Sequence, residues 1–178
     1  HGAAGGVGLA AVDVGRLYGA SVIAAAGTPE KRAVVAGLGA HHTIDSRAPF
    51  VETVKALTDG RGADVIYDPV GGDVFDESMH CIAPFGRILI VGFTGGRPAL
   101  AKTNHLLVKD VSVIGYSLGG LAKHRPELSA RCGATLMNWL EGGRIRPYVS
   151  HRIPLADTAE ALRLVRDREV IGKVVVSD

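Results

Sequence analysis

A chain of 178 residues is long enough to bury a full hydrophobic core, as one domain or as one domain and part of another. With 47% apolar and 21% charged residues, 24 glycines and few aromatics, the composition excludes a disordered chain, and no apolar run reaches the length of a membrane span. The net charge of +2, from 20 basic against 18 acidic residues, is too small and too dispersed to point to nucleic acid.

In chain order, a glycine-rich turn at the start runs into a helix whose apolar stripe is read as Val7, Ala10, Ala11, Val14, Leu17 and Tyr18, stopped by Gly19. The short apolar run Val22–Ala26 reads as a buried strand, and Gly27-Thr28-Pro29 opens a second helix with proline near its first position. A strand at His42–Ile44, a helix over Phe50–Leu57, a strand at Asp64–Asp68 and a helix over Val74–Ile82 follow. Next come a strand at Arg87–Val91, a short helix near Asn104–Val108 and a strand at Val111–Tyr116. Short apolar strands alternating with helices predict an α/β domain, a doubly wound parallel sheet covered on both faces. Its first strand would lie before His1, so the turn is expected to follow a strand that this sequence lacks. The last third predicts a long helix over Pro126–Leu140. Then come a strand in "VSHRIP", a helix in "DTAEALRLVRD" with Asp157 and Glu160 as a capping box, and a strand in "GKVVVS".

Ala3-Ala4-Gly5-Gly6-Val7-Gly8 has the form A-x-G-x-x-G. In a dinucleotide-binding βαβ unit such glycines permit a tight turn, close approach of backbone to a pyrophosphate, and close helix packing. The same glycines suit a turn with no ligand, but the helix and strand that follow are the context the motif requires. The helix N-terminus would present free N–H groups and a positive dipole end to a diphosphate. About 20 residues after such a turn, NAD-specific proteins carry an acid for the ribose 2′-hydroxyl. Here that position is Ala26, followed by Thr28, Lys31 and Arg32, which favours a 2′-phosphate and hence NADPH; Lys31 and Arg32 also read as a solvated helix face.

The stretches "GAAGGVGLAA", "GRGADVIYDPVGG", "FGRILIVGF" and "PLADTAEALRLVRDREVIGKVVVSD" resemble the cofactor-binding half of the medium-chain dehydrogenase/reductases. Within that superfamily they are most similar to the NADPH:quinone oxidoreductases, the zeta-crystallin-like family. The resemblance implies a Rossmann-like sheet of order 3-2-1-4-5-6. It implies a dinucleotide-binding domain over 1–148, N-terminally truncated, and a segment over 149–178 that returns to an absent N-terminal substrate domain. It assigns cofactor contacts to Ala4, Gly5, Gly6, Val7, Gly8, Thr28, Lys31 and Ser46. Val70 and Gly71 would border adenosine, and Gly92, Phe93 and Thr94 the nicotinamide. Ser46 stands where related reductases often carry a tyrosine. The implied function is hydride transfer from NADPH to a quinone or another conjugated carbonyl. The alternatives are the cofactor domain of an enoyl-thioester reductase or zinc-dependent alcohol dehydrogenase, and a non-catalytic nucleotide-binding protein. The resemblance also implies a homodimer through the edge strand Val111–Tyr116.

No catalytic residue is named. The seven histidines show no metal spacing, and His41-His42 reads as a helix end. Asp64 and Asp68 read as strand-end residues rather than an acid/base pair. Cys81 and Cys132 lie far apart without C-x-x-C spacing, so a reducing cytoplasm is expected, and the opening residues, lacking a basic start and an uninterrupted apolar run, are not expected to act as a signal peptide.

Overall fold

The computed structural model describes residues 1–178 and alternates helices and strands as the sequence predicts. In chain order the elements are α1 (Gly6–Leu17), β1 (Ile23–Ala26), α2 (Pro29–Gly37), β2 (His42–Asp45), α3 (Val51–Ala56), β3 (Ala63–Asp68), α4 (Gly72–Cys81) and β4 (Ile82–Ile90). They continue with α5 (Thr103–Lys109), β5 (Ser112–Gly115), α6 (Leu118–His124), α7 (Pro126–Glu141), β6 (Val149–Pro154), a 3-10 turn (Leu155–Asp157), α8 (Thr158–Arg166) and β7 (Lys173–Ser177). The strands pair in parallel, as helical crossovers demand. β1 pairs with β2, β4 lies between β3 and β5, and β6 pairs with β7. The first two groups hold the neighbours that the order 3-2-1-4-5-6 contains once its first strand is left out. The chain forms two compact units, one of Gly2–Asp45 with Ile145–Asp178, the other of Ser46–Arg144 with His1.

In the first unit, α1 is apolar on nearly every side, so periodicity alone does not select its buried face. The face read from the sequence is not the buried one. Val7 is 50% and Tyr18 76% exposed, while Gly8, Leu9 and Val12 are buried. Gly8 sets the rotation. A Cβ there would stand 2.2 Å from the Gly2 carbonyl oxygen and 2.6 Å from the Ala3 Cα, so only a bare α-carbon lets the helix settle on the turn. Leu9 and Val12 then join Ala3, Ala4, Ala24, Ala26 and Val35 in one cluster, with Val22, Leu38, Ala40 and Ile171 against it. The Ala3 N–H donates to the Ala25 carbonyl at 3.0 Å and the Gly172 N–H to the Ala4 carbonyl at 2.8 Å, fixing the turn beside β1 and the start of β7.

The capping box expected for α8 does not form. The preceding 3-10 turn holds Asp157 at φ −102° and ψ 24°, outside the extended conformation an N-cap needs, and its side chain caps nothing. The Thr158 hydroxyl donates instead to the Leu155 carbonyl at 2.6 Å, and Glu160 accepts from Arg163.

In the second unit α4 sends Phe75, Ser78, Met79 and Cys81 into the interior, where Ile66, Ile82, Ala83 and Ile88 are also buried. Burial, with Glu77 nearby, pushes the Cys81 thiol up to about 11, which makes it inert, whereas Cys132 is exposed. β4 begins five residues earlier than the sequence predicts, and the register jumps from Ala63 opposite Ile82 to Val65 opposite Arg87. α6, capped by the Ser117 hydroxyl accepting from the Gly120 N–H at 3.1 Å, falls where the sequence predicts only a loop. No residue of α7 is fully buried.

The register jump leaves Phe85 at φ 60°, a left-handed conformation that costs an L-residue about 1–2 kcal/mol, with its ring 77% exposed. Phe85→Gly should therefore raise the unfolding free energy by about 0.5–1 kcal/mol after the extra unfolded-state entropy of glycine is subtracted. The midpoint of a urea titration measures this, and a lowered midpoint would show that the exposed ring contributes more than the strain.

Candidate functional site

The glycine turn and its helix combine two features suited to an anion. Gly5, the N-cap of α1, has no side chain with which to cap it, and the first helical turn carries no acid. The N–H groups of Gly6, Val7 and Gly8 are those an α-helix leaves without intrahelical partners, and they carry the positive end of the dipole. Lys173 of β7 lies directly against Gly6, where a Cβ would meet its Cε at 2.5 Å and its Nζ at 2.7 Å. A cation beside a helix N-terminus is the wrong sign for stability and the right sign for holding a phosphate. Of the residues read from the sequence, Ala4 is buried within the turn, Gly5 is the N-cap of α1, and Gly6, Val7 and Gly8 lie in its first helical turn.

At the carboxyl end of the β1–β2 pair, the last opposed residues are Ala26 and Asp45. Thr28 caps α2, its hydroxyl accepting from the Lys31 N–H at 3.2 Å. The Lys31 ammonium donates to the Arg168 carbonyl at 2.5 Å. Arg32 reaches further in: its Nη1 donates to the Ala26 carbonyl at 3.1 Å and stands 3.0 Å from Oδ2 of Asp45. His41 and His42 do not close α2, which ends at Gly37: His42 opens β2, and the His41 Nδ1 accepts from the Val22 N–H at 3.1 Å, tying the residue before β2 to the residue before β1. Ser46 follows β2 directly and is half-buried, in the other compact unit.

In that second unit the loops after β3 and β4 are laced together. The Val91 N–H donates to the Asp68 carbonyl, those of Thr94 and Gly95 to the Pro69 and Val70 carbonyls, and the Thr94 hydroxyl to Pro69 at 3.1 Å. Gly71, at φ 72°, is pressed so closely that a Cβ would stand 2.8 Å from the Arg97 carbonyl oxygen and 3.1 Å from the Phe93 ring. Val70, Gly71, Gly92, Phe93 and Thr94 thus form one cluster, with Gly71 buried in it, at the carboxyl ends of parallel strands, where ligands bind in open α/β sheets. Its organiser is Asp68. That side chain is fully buried, and its Oδ1 accepts from the Val70 N–H at 2.8 Å and the Gly71 N–H at 2.9 Å, while Oδ2 has no partner. The sequence places Asp68 only at a strand end, although an aspartate just before Pro-Val-Gly is also a turn signal. Asp64 is different: exposed and paired with Arg61, whose hydrogen bond holds its carboxyl below the usual range.

The same unit seats His1. Its ring lies 5.0 Å from that of Phe50, and its Nε2 is 2.7 Å from the Ser78 hydroxyl. That hydroxyl spends its proton on the Val74 carbonyl, so the imidazole is the donor. No group of three or more His, Cys, Asp or Glu side chains is arranged to hold a metal, so no residue here is assigned to zinc. No helix is long and apolar enough to cross a membrane.

Residues 6–133 match the family described as zinc-binding dehydrogenase. The chain is 40% identical to quinone oxidoreductase-like protein 2 homolog of Nematostella vectensis over 98% of its own length and 48% of that protein's. Among solved structures, it superposes on the Escherichia coli quinone oxidoreductase complexed with NADPH with a TM-score of 0.88 and 30% identity, covering all of this chain and 56% of the other. CurK enoyl reductase gives a TM-score of 0.85 at 29% identity, over 99% of this chain and 53% of that one. The chain spans about half the length of the curated relatives it matches.

Asp68→Ala leaves the buried Gly71 N–H and the half-buried Val70 N–H without an acceptor and should cost about 1–3 kcal/mol. Asp68→Asn keeps one carbonyl oxygen for both and should cost distinctly less. Equal losses on chemical denaturation would show that the two hydrogen bonds do not hold the loop.

Proposed function

Because the chain belongs to the zinc-binding dehydrogenase family, as the cofactor-binding half of a quinone oxidoreductase-like protein of the medium-chain superfamily, we propose that it binds NADPH for hydride transfer to a quinone or another conjugated carbonyl. The observation that carries the reading is the uncapped, acid-free first turn of α1 with Lys173 beside it, in a chain that has no acid at Ala26. Gly6, Val7 and Gly8 offer their N–H groups to the diphosphate, with Ala4 and Gly5 shaping the turn. Thr28, Lys31 and Ser46 are assigned to the 2′-phosphoribose. Val70 and Gly71 are assigned to adenosine, and Gly92, Phe93 and Thr94 to the nicotinamide. The bound cofactor supplies the hydride, and the chain's task is to hold it in place and exclude water. No side chain is assigned a proton-transfer role.

In the longer protein, residues 1–148 serve as the dinucleotide-binding domain and 149–178 return to a substrate domain that supplies the acceptor wall; the chain alone is expected not to turn over a quinone. The similarity to CurK enoyl reductase favours enoyl thioesters as the second substrate class. Two unbridged cysteines suit a reducing cytoplasm. Titration should show NADPH binding about tenfold or more tightly than NADH, with Lys31→Ala weakening NADPH severalfold. Tighter binding of NADH would overturn the cofactor reading.

The homodimer is part of the same proposal. β5 pairs only with β4, and its outer edge carries Ile114 and leads to Tyr116, both partly exposed, with no charge or proline to block pairing. Ile114→Arg should shift sedimentation toward the monomer while circular dichroism stays unchanged. An unchanged sedimentation coefficient would place the interface elsewhere.

A further inference from the structure

We infer that Arg97 is a positioning residue for the nicotinamide: it latches the loop that carries Gly92, Phe93 and Thr94 onto the N-terminal half of α4, without itself touching the cofactor. The inference rests on the NADPH reading above. The loop runs from the end of β4 to the start of α5, and its two halves are held by different means. The near half is tied by backbone, through the Thr94 and Gly95 N–H groups on the Pro69 and Val70 carbonyls. The chain then turns back on itself, the Gly96 N–H donating to the Phe93 carbonyl at 2.9 Å with Gly96 at φ 86°. No backbone hydrogen bond holds residues 97–101. What fixes this far half is the Arg97 guanidinium, whose Nη2 donates to Asp73 Oδ1 at 2.7 Å and to Asp76 Oδ2 at 2.6 Å.

The latch and the nicotinamide residues share one seat. A Cβ on Gly71 would stand 2.8 Å from the Arg97 carbonyl oxygen and 3.1 Å from the Phe93 ring, and one on Gly72 would stand 3.6 Å from the Arg97 Cβ. Where Arg97 comes to rest therefore sets how closely Phe93 lies on the turn after β3. The charges fit the task. Asp73 and Asp76 stand three residues apart on one helix, where like charges repel, and a cation between them removes that repulsion. Both bonds come from one nitrogen, so a single positive point is all the latch needs, and a lysine ammonium can supply it. Arg97 is exposed, so solvent weakens the pair and global stability gains little from it. A loop segment with no backbone ties is a different matter, because its local opening costs little to begin with. The Val70–Gly71 turn on the adenosine side has its own support in Asp68 and does not depend on the latch.

The test is calorimetric binding of NADPH and of adenosine 2′,5′-bisphosphate to the full chain, with the emission of the bound reduced nicotinamide as a second readout. The bisphosphate has no nicotinamide, so the ratio of the two affinities isolates that half of the cofactor. Arg97→Gln should lower the ratio about threefold or more, with the bisphosphate affinity unchanged and the emission moved toward that of free NADPH. Asp73→Asn together with Asp76→Asn, which leaves Arg97 in place, should do the same. Arg97→Lys should restore both readouts. Variants that keep the wild-type ratio would overturn the inference and leave the NADPH reading standing. So would an equal loss for both ligands, or a lysine variant no better than the glutamine one. A wild type that binds the two ligands equally, with the emission of free NADPH, would overturn the assignment of this loop to the nicotinamide and the inference with it. A wild type that binds neither would overturn the NADPH reading as well.

Discussion

The packing of α1 onto its own turn depends on one approach that only glycine allows. With nothing at the Gly8 Cβ position, the helix rests on the Gly2 carbonyl and the Ala3 α-carbon. That contact fixes which side of an almost uniformly apolar helix faces inward, and so delivers Leu9 and Val12 to the cluster built on Ala3, Ala4, Ala24 and Val35. It also fixes where the first helical turn points. The backbone bond from the Gly172 N–H to the Ala4 carbonyl brings Lys173 against the same turn. A packing requirement and an electrostatic one are met by the same few residues, which is why a short glycine-rich stretch carries so much of the functional reading.

Charge placement follows a consistent logic in each unit. At the end of β1 the chain has alanine where an acid would bar a phosphate, and its register partner on the neighbouring strand, Asp45, is ion-paired with Arg32. Where a carboxylate is fully buried, at Asp68, one of its oxygens meets the two N–H groups of the loop it shapes. Buried polar groups are costly unless they are bonded, so the Asp68 arrangement gives the Val70–Gly71 turn a definite conformation instead of one among several. The exposed pairs, such as Arg61 with Asp64 and Arg163 with Glu160, contribute little by comparison because solvent screens them.

The sequence by itself determined the alternation of helices and strands, the parallel pairing that alternation implies, the location of the glycine turn, and the absence of an acid at Ala26. Each is written locally, in a run of apolar residues, a glycine spacing or a single side-chain type. The family was legible for the same reason, since its motifs are contiguous stretches. Tertiary structure alone decided which face of α1 is buried, because twelve residues with almost no polar punctuation carry no usable period and the choice falls to a backbone contact with Gly2. It decided that Asp157 caps nothing, because the preceding 3-10 turn takes its backbone out of the capping conformation. It decided that β4 starts at Ile82 and forces Phe85 into a left-handed conformation, because strand register depends on the partner strand. It also decided the roles of Asp68, Lys173 and Arg32. Each acts on atoms that the fold, and not the local sequence pattern, brings within bonding distance: a buried turn, a glycine far away in the chain, and the carbonyl of a strand six residues back.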